Sequence, residues 1–113
     1  MHELSLCSAL AEIVRRRAEQ RRVQVIHLRI GQLRQVVPET LEFCWQMVSA
    51  ETGLEGSVLQ IEHVPAALHC RACGAQHAMG DEVAFACRSC GGLDVEAVSG
   101  EEFVVTALDL QAA

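Results

Sequence analysis

Apolar residues recur at three- and four-residue intervals from Leu4 to Ala18, where Leu4, Cys7, Leu10, Ala11, Val14 and Ala18 form one face of a helix. From Val23 to Ile30 the period shortens to two. Ile26, Leu28 and Ile30 alternate with His27 and Arg29, which is the pattern of a half-buried strand closed by Gly31. The helical period returns with Leu41, Cys44, Trp45 and Val48. Pro38 and Glu39 suit the first turn of that helix, because proline there gives up an amide the helix does not use and an acid meets the positive dipole end. Gly53 marks its stop. A second strand is expected from about Val58 to Val64, ended by Pro65, and a last one from Phe103 to Leu110.

The stretch from His69 to Gly92 has few aliphatic side chains, two Cys pairs and several glycines. Hydrophobic burial alone will not fold such a segment. The terminal strand matches the first half in pattern, so residues 1–66 and 100–113 read as one α/β domain and residues 67–99 as a module inserted between two of its strands.

Composition narrows the function classes. Nine Arg against 15 acidic residues give a formal charge of -6, which argues against general attraction to nucleic acid or to an anionic membrane. The chain has no Lys, which removes lysine bases, Schiff-base nucleophiles and phosphate-loop cations. Arg15, Arg16, Arg17, Arg21 and Arg22 cluster at the C-terminal end of the first helix and read as a solvated helix end. No apolar run is long enough to span a bilayer, and the first residues do not resemble a secretory signal. A cytoplasmic location is therefore expected, with its six Cys as reduced thiols and close Cys pairs as metal ligands.

Cys70-Arg71-Ala72-Cys73-Gly74 and Cys87-Arg88-Ser89-Cys90-Gly91 are two copies of one knuckle. A two-residue spacer lets both thiolates of a pair face one ion, and the following glycine allows the backbone to turn back. Four thiolates in a tetrahedron suit structural zinc and leave no open position for a substrate. Iron, as in rubredoxin-like electron carriers, is the alternative metal, and a zinc-ribbon module contacting nucleic acid or protein is the alternative role. His69 and His77 flank the first knuckle and read as exposed loop histidines, while Cys7 and Cys44 read as core thiols. No nucleophile-base pair or open-site metal motif points to an enzyme.

His2 offers a different chemistry. The α-amine of Met1, the backbone nitrogen of His2 and its ring Nδ1 can close fused chelate rings around one ion, and such in-plane nitrogen donors favour Ni(II) or Cu(II) over zinc. The competing reading is that His2 and Glu3 simply begin the first helix.

Taken together, Met1-His2-Glu3-Leu4-Ser5, Ile30-Gly31, Pro38-Glu39, the two Cys knuckles and the terminal strand resemble the HypA/HybF hydrogenase-maturation nickel chaperones. The resemblance spans essentially the whole chain. It implies an α/β fold of two helices on a three-stranded sheet with an inserted zinc-ribbon-like module. It implies Ni(II) as transient cargo at Met1, His2 and Glu3, and structural Zn(II) on Cys70, Cys73, Cys87 and Cys90. The implied partners are a HypB-type nickel GTPase and the precursor of the [NiFe]-hydrogenase large subunit, with urease maturation in some organisms. One departure stands out: some members carry a histidine beside a zinc-ligand cysteine, whereas Cys90 here is followed by Gly91. The fourth nickel donor is thus left open.

Overall fold

The computed structural model describes residues 2–112. Helix α1 spans His2–Ala18 and leads into strand β1, Val23–Gly31; a short 3-10 turn, Gln32–Arg34, then precedes helix α2, Pro38–Thr52. Strands β2, Val58–Val64, and β6, Phe103–Leu110, flank β1 in a three-stranded sheet of order β2-β1-β6. Between them lie β3, Ala67–Cys70, β4, Gln76–Ala78, and β5, Val95–Ser99, which form a second sheet of order β4-β3-β5. The fold is α/β, with two helices, a three-stranded sheet and a four-cysteine module. Among the described residues no helix is long and apolar enough to cross a membrane.

The chain divides into two compact units. The first comprises Met1–Arg29, Val36–Glu62 and Val104–Ala113. Its helices pack on each other, and its buried side chains include Cys7, Leu10 and Val14 from α1, Ile26 and Leu28 from β1, and Leu41 and Trp45 from α2. The Trp45 indole keeps its polar edge satisfied inside this core by donating to Ser57 Oγ at 3.0 Å. Two details differ from the sequence pattern. Leu4 is exposed and Glu3 is buried, because Glu3 has a polar partner inside. Val48 is only half-buried while Ser49 is buried, its hydroxyl turned back to the Gln46 carbonyl.

Helix α2 begins where proline and acid placed it, with Pro38 in the first turn and Val37 as the extended N-cap residue. It ends at Gly53, whose φ of 79° puts it in the left-handed region and lets its amide return to the Ser49 carbonyl.

The second unit comprises Ile30–Gln35 and His63–Phe103. Strand β3 pairs antiparallel with β4 on one side and β5 on the other, with Leu68 opposite His77 and Ala97. Its small core holds Ala66, Leu68 and Met79, with Leu33, Val95 and Ala97 packed around them. The Gln32 side chain ties two strand ends together: its Oε1 accepts from the Ala66 amide at 2.8 Å, and its Nε2 donates to the Gly80 carbonyl. Gly31 and Gly100 meet backbone to backbone; the Leu33 amide donates to the Gly100 carbonyl at 2.7 Å, and a Cβ on Gly31 would fall 2.1 Å from the Gly100 carbonyl carbon.

Candidate metal centre

The two knuckles share one backbone design. In the first, the Cys70 amide donates to the Ala75 carbonyl and the Gly74 amide to the Cys70 carbonyl, both at 2.8 Å. In the second, Cys87 donates to Gly92 and Gly91 to Cys87, both at 2.9 Å. Gly74 and Gly91 close these turns at φ values of 79° and 74°, a conformation costly for a residue with a Cβ. The first knuckle grows directly from β3, so the sheet fixes where it points.

These turns bring the Sγ atoms of Cys70, Cys73, Cys87 and Cys90 all within 4.8 Å of one another. Four thiolates on one tetrahedral ion with bonds of about 2.3 Å stand about 3.8 Å apart. The separations of 3.7 Å for Cys70–Cys90 and 3.5 Å for Cys73–Cys87 match that spacing. The donor set therefore fits a thiophilic metal such as zinc. Amides already aim at the sulfurs: Cys90 N–H at Cys87 Sγ, 3.5 Å, and Gly92 N–H at Cys90 Sγ, 3.4 Å. The Cys90 amide, more than any other group, draws the Cys87 thiol down to about 6. The Cys73 thiol goes the other way, to about 12: the Ala75 amide alone would lower it, but the shared thiol hydrogen bond with Cys87 and desolvation outweigh that pull. Four clustered thiols do not ionise together without a cation to balance them.

Neither flanking histidine joins the thiol cluster among the described residues. His69 Nδ1 lies 3.4 Å from Glu96 Oε1, and the buried Nδ1 of His77 has no partner. The knuckle arginines are engaged by the module itself: Arg71 reaches Asp94 at 2.8 Å and Glu96 at 3.0 Å, and Arg88 donates to the Met79 carbonyl at 2.7 Å.

Of the three N-terminal candidates, Met1 lies outside the described residues. His2 is exposed in the first turn of α1. Glu3 is buried beside it, and its Oε2 accepts from the Val37 amide at 3.1 Å. That bond, followed by one from its own amide, holds the Glu3 carboxyl below its usual range. No sequence signal pointed to Val37 as its partner. Cys7 and Cys44 are buried in the helical core, with Cys7 Sγ donating to the Leu41 carbonyl at 3.4 Å.

A family model described as HypA, hydrogenase/urease nickel incorporation, metallochaperone, matches residues 1–110. A hydrogenase maturation factor HypA from Geotalea uraniireducens (strain Rf4) is 40% identical over 111 residues, covering 98% of this chain and 100% of the relative. One from Nostoc sp. is 34% identical over 111 residues, covering 98% and 96%. The solution structure of the Ni metallochaperone HypA from Helicobacter pylori superposes with a TM-score of 0.67 at 20% identity, over 100% of both chains, which establishes the shared fold. The chain belongs to the HypA family of hydrogenase and urease nickel-incorporation metallochaperones.

Proposed function

We propose that this protein is a non-catalytic cytoplasmic carrier that holds Ni(II) at Met1 and His2, with Glu3 tuning or completing the site, and delivers it for [NiFe]-hydrogenase maturation, and in some organisms for urease. The observation that carries this reading is the family match over residues 1–110, which begins at the Met-His-Glu triplet. Nickel is cargo here. The Met1 amine, the His2 backbone nitrogen and the His2 ring supply in-plane nitrogen donors suited to it. The exposure of His2 supports the reading, since a carrier must pass its ion on. The recipients are a HypB-type nickel GTPase and the large-subunit precursor of the hydrogenase.

Residues 1–66 and 100–113 act as the nickel domain, and residues 67–99 as a module folded around zinc on Cys70, Cys73, Cys87 and Cys90. Zinc supplies a cross-link between the two knuckles that the few apolar residues there do not. The internal engagement of Arg71 and Arg88 speaks against a nucleic-acid role for the module.

Metal analysis and nickel titration of untagged protein, wild type against His2→Ala, test both sites. One tightly held zinc in each protein, and one nickel per chain in the wild type alone, are expected. Undiminished nickel affinity in His2→Ala would remove the nickel site. A visible thiolate-to-iron band in the purified protein would replace zinc with iron.

A further inference from the structure

Five of the nine Arg residues lie between Arg15 and Arg22, and Glu19 is the one acid among them, in a chain of net charge -6. Arg15, Arg16, Arg21 and Arg22 line one open cleft of about 600 Å³, together with Glu12 and with Thr52 and Gly53 at the end of α2. The turn that brings them together is unfavourable for L residues: Glu19 and Gln20 are both left-handed, with φ of 52° and 69°. After it, the Arg22 carbonyl accepts from the Gln111 amide at 2.9 Å and Arg21 donates to the Gln111 carbonyl at 3.1 Å, which holds the second Arg pair in place.

Their charges are left largely unanswered. Of these four arginines only Arg16 has, among the described residues, a carboxylate within ion-pair reach, the exposed Glu12 at 3.2 Å. A cation or two would satisfy the negative end of α1. Four guanidinium groups around a cleft exceed that need, and each offers the planar fork that takes a carboxylate through two hydrogen bonds.

We infer that this cleft is a docking site for an acidic, Asp/Glu-bearing peptide segment of a partner protein. Compact phosphate ligands suit it less. The C-terminal ends of both helices, Ala18 and Thr52, line the same cleft, and helix ends present carbonyl acceptors and negative partial charge. Phosphate brings only acceptors to that wall. A peptide brings amide donors for the carbonyls together with carboxylates for the arginines, and a cleft of this size admits a short segment. The inference stands apart from nickel binding.

The test uses full-length, metal-loaded protein and a fluorescein-labelled hexapeptide of Glu and Asp, with its Gln/Asn counterpart and tripolyphosphate as comparisons. The acidic peptide should bind at least about tenfold more tightly than the amide peptide, and Arg15→Glu with Arg22→Glu should remove that advantage. Arg15→Gln with Arg22→Gln should weaken it in the same direction, and serves if the charge reversal disturbs folding. Both variants should keep His2-dependent nickel binding, which separates failure here from failure of the carrier reading. Equal binding of both peptides, no effect of either Arg pair, or displacement by tripolyphosphate at concentrations below those of the acidic peptide would each overturn the inference.

Discussion

The Glu3 carboxylate and the Val37 amide, 34 positions apart in the chain, are joined by a 3.1 Å hydrogen bond that clips the first turn of α1 to the N-cap of α2. One carboxylate oxygen is thereby committed to the fold, directly beside the exposed His2. Glu3 thus reads first as a positioning residue for its neighbour: it fixes the helix turn from which the proposed nickel donors project.

Two substitutions separate the clip from the charge. Glu3→Gln keeps an acceptor for Val37, whereas Glu3→Ala leaves that part-buried amide without its side-chain partner. Glu3→Ala should lower Tm by about 5 °C and weaken nickel binding, while Glu3→Gln keeps both near wild type. Calorimetry with nickel titration checks this. If Glu3→Gln loses nickel as completely as Glu3→Ala does, the carboxylate itself is a ligand. The folded carboxyl sits below its ordinary range, so the clip is fully present above that range and lost as pH falls through the folded value.

Gly31 is a second point where one atom decides the outcome. A Cβ there would stand 2.1 Å from both the carbon and the oxygen of the Gly100 carbonyl, and backbone atoms held by the 2.7 Å bond to Leu33 do not move aside cheaply. Gly53 has a left-handed φ of 79° but open space around it. Gly31→Ala should therefore cost about 3 kcal/mol and Gly53→Ala about 1 kcal/mol, read from urea midpoints. Equal costs would show that conformation, and not contact, sets the requirement.

Periodicity made α1, β1, α2, β2 and β6 legible in the sequence, since each has a face to bury and all but α1 have a proline or glycine near a boundary. Strands β3, β4 and β5 were not, because Ala67–Cys70, Gln76–Ala78 and Val95–Ser99 are too short for alternation to stand out. Their register follows from the knuckle turns and from side chains such as Gln32, whose partners lie 34 and 48 residues away. The cysteine cluster was legible from spacing alone, because two-residue spacers and glycines prescribe a turn. The Glu3–Val37 bond was not, because any amide can be a partner and sequence does not name one. The Arg run showed the same limit, since its convergence depends on two left-handed residues, Glu19 and Gln20, that lack the glycine signal.

Cys7 gives a pH dependence with a definite sign. It is fully buried, and burial first, then the nearby Cys44 and Glu3, push its thiol up to about 11. In the unfolded chain the same thiol ionises within the ordinary range. As pH rises past that range the unfolded state holds fewer protons than the folded one, so Cys7 subtracts stability until the folded value is passed. Cys7→Ala removes this term at the expense of a small cavity. Under reducing conditions the urea midpoint of the wild type should fall more steeply than that of Cys7→Ala between about pH 8 and pH 10. The difference cancels whatever the four clustered cysteines contribute, because both proteins carry them. Parallel pH profiles would mean that the thiol is not desolvated in the folded protein, and rapid alkylation of Cys7 at neutral pH would point the same way.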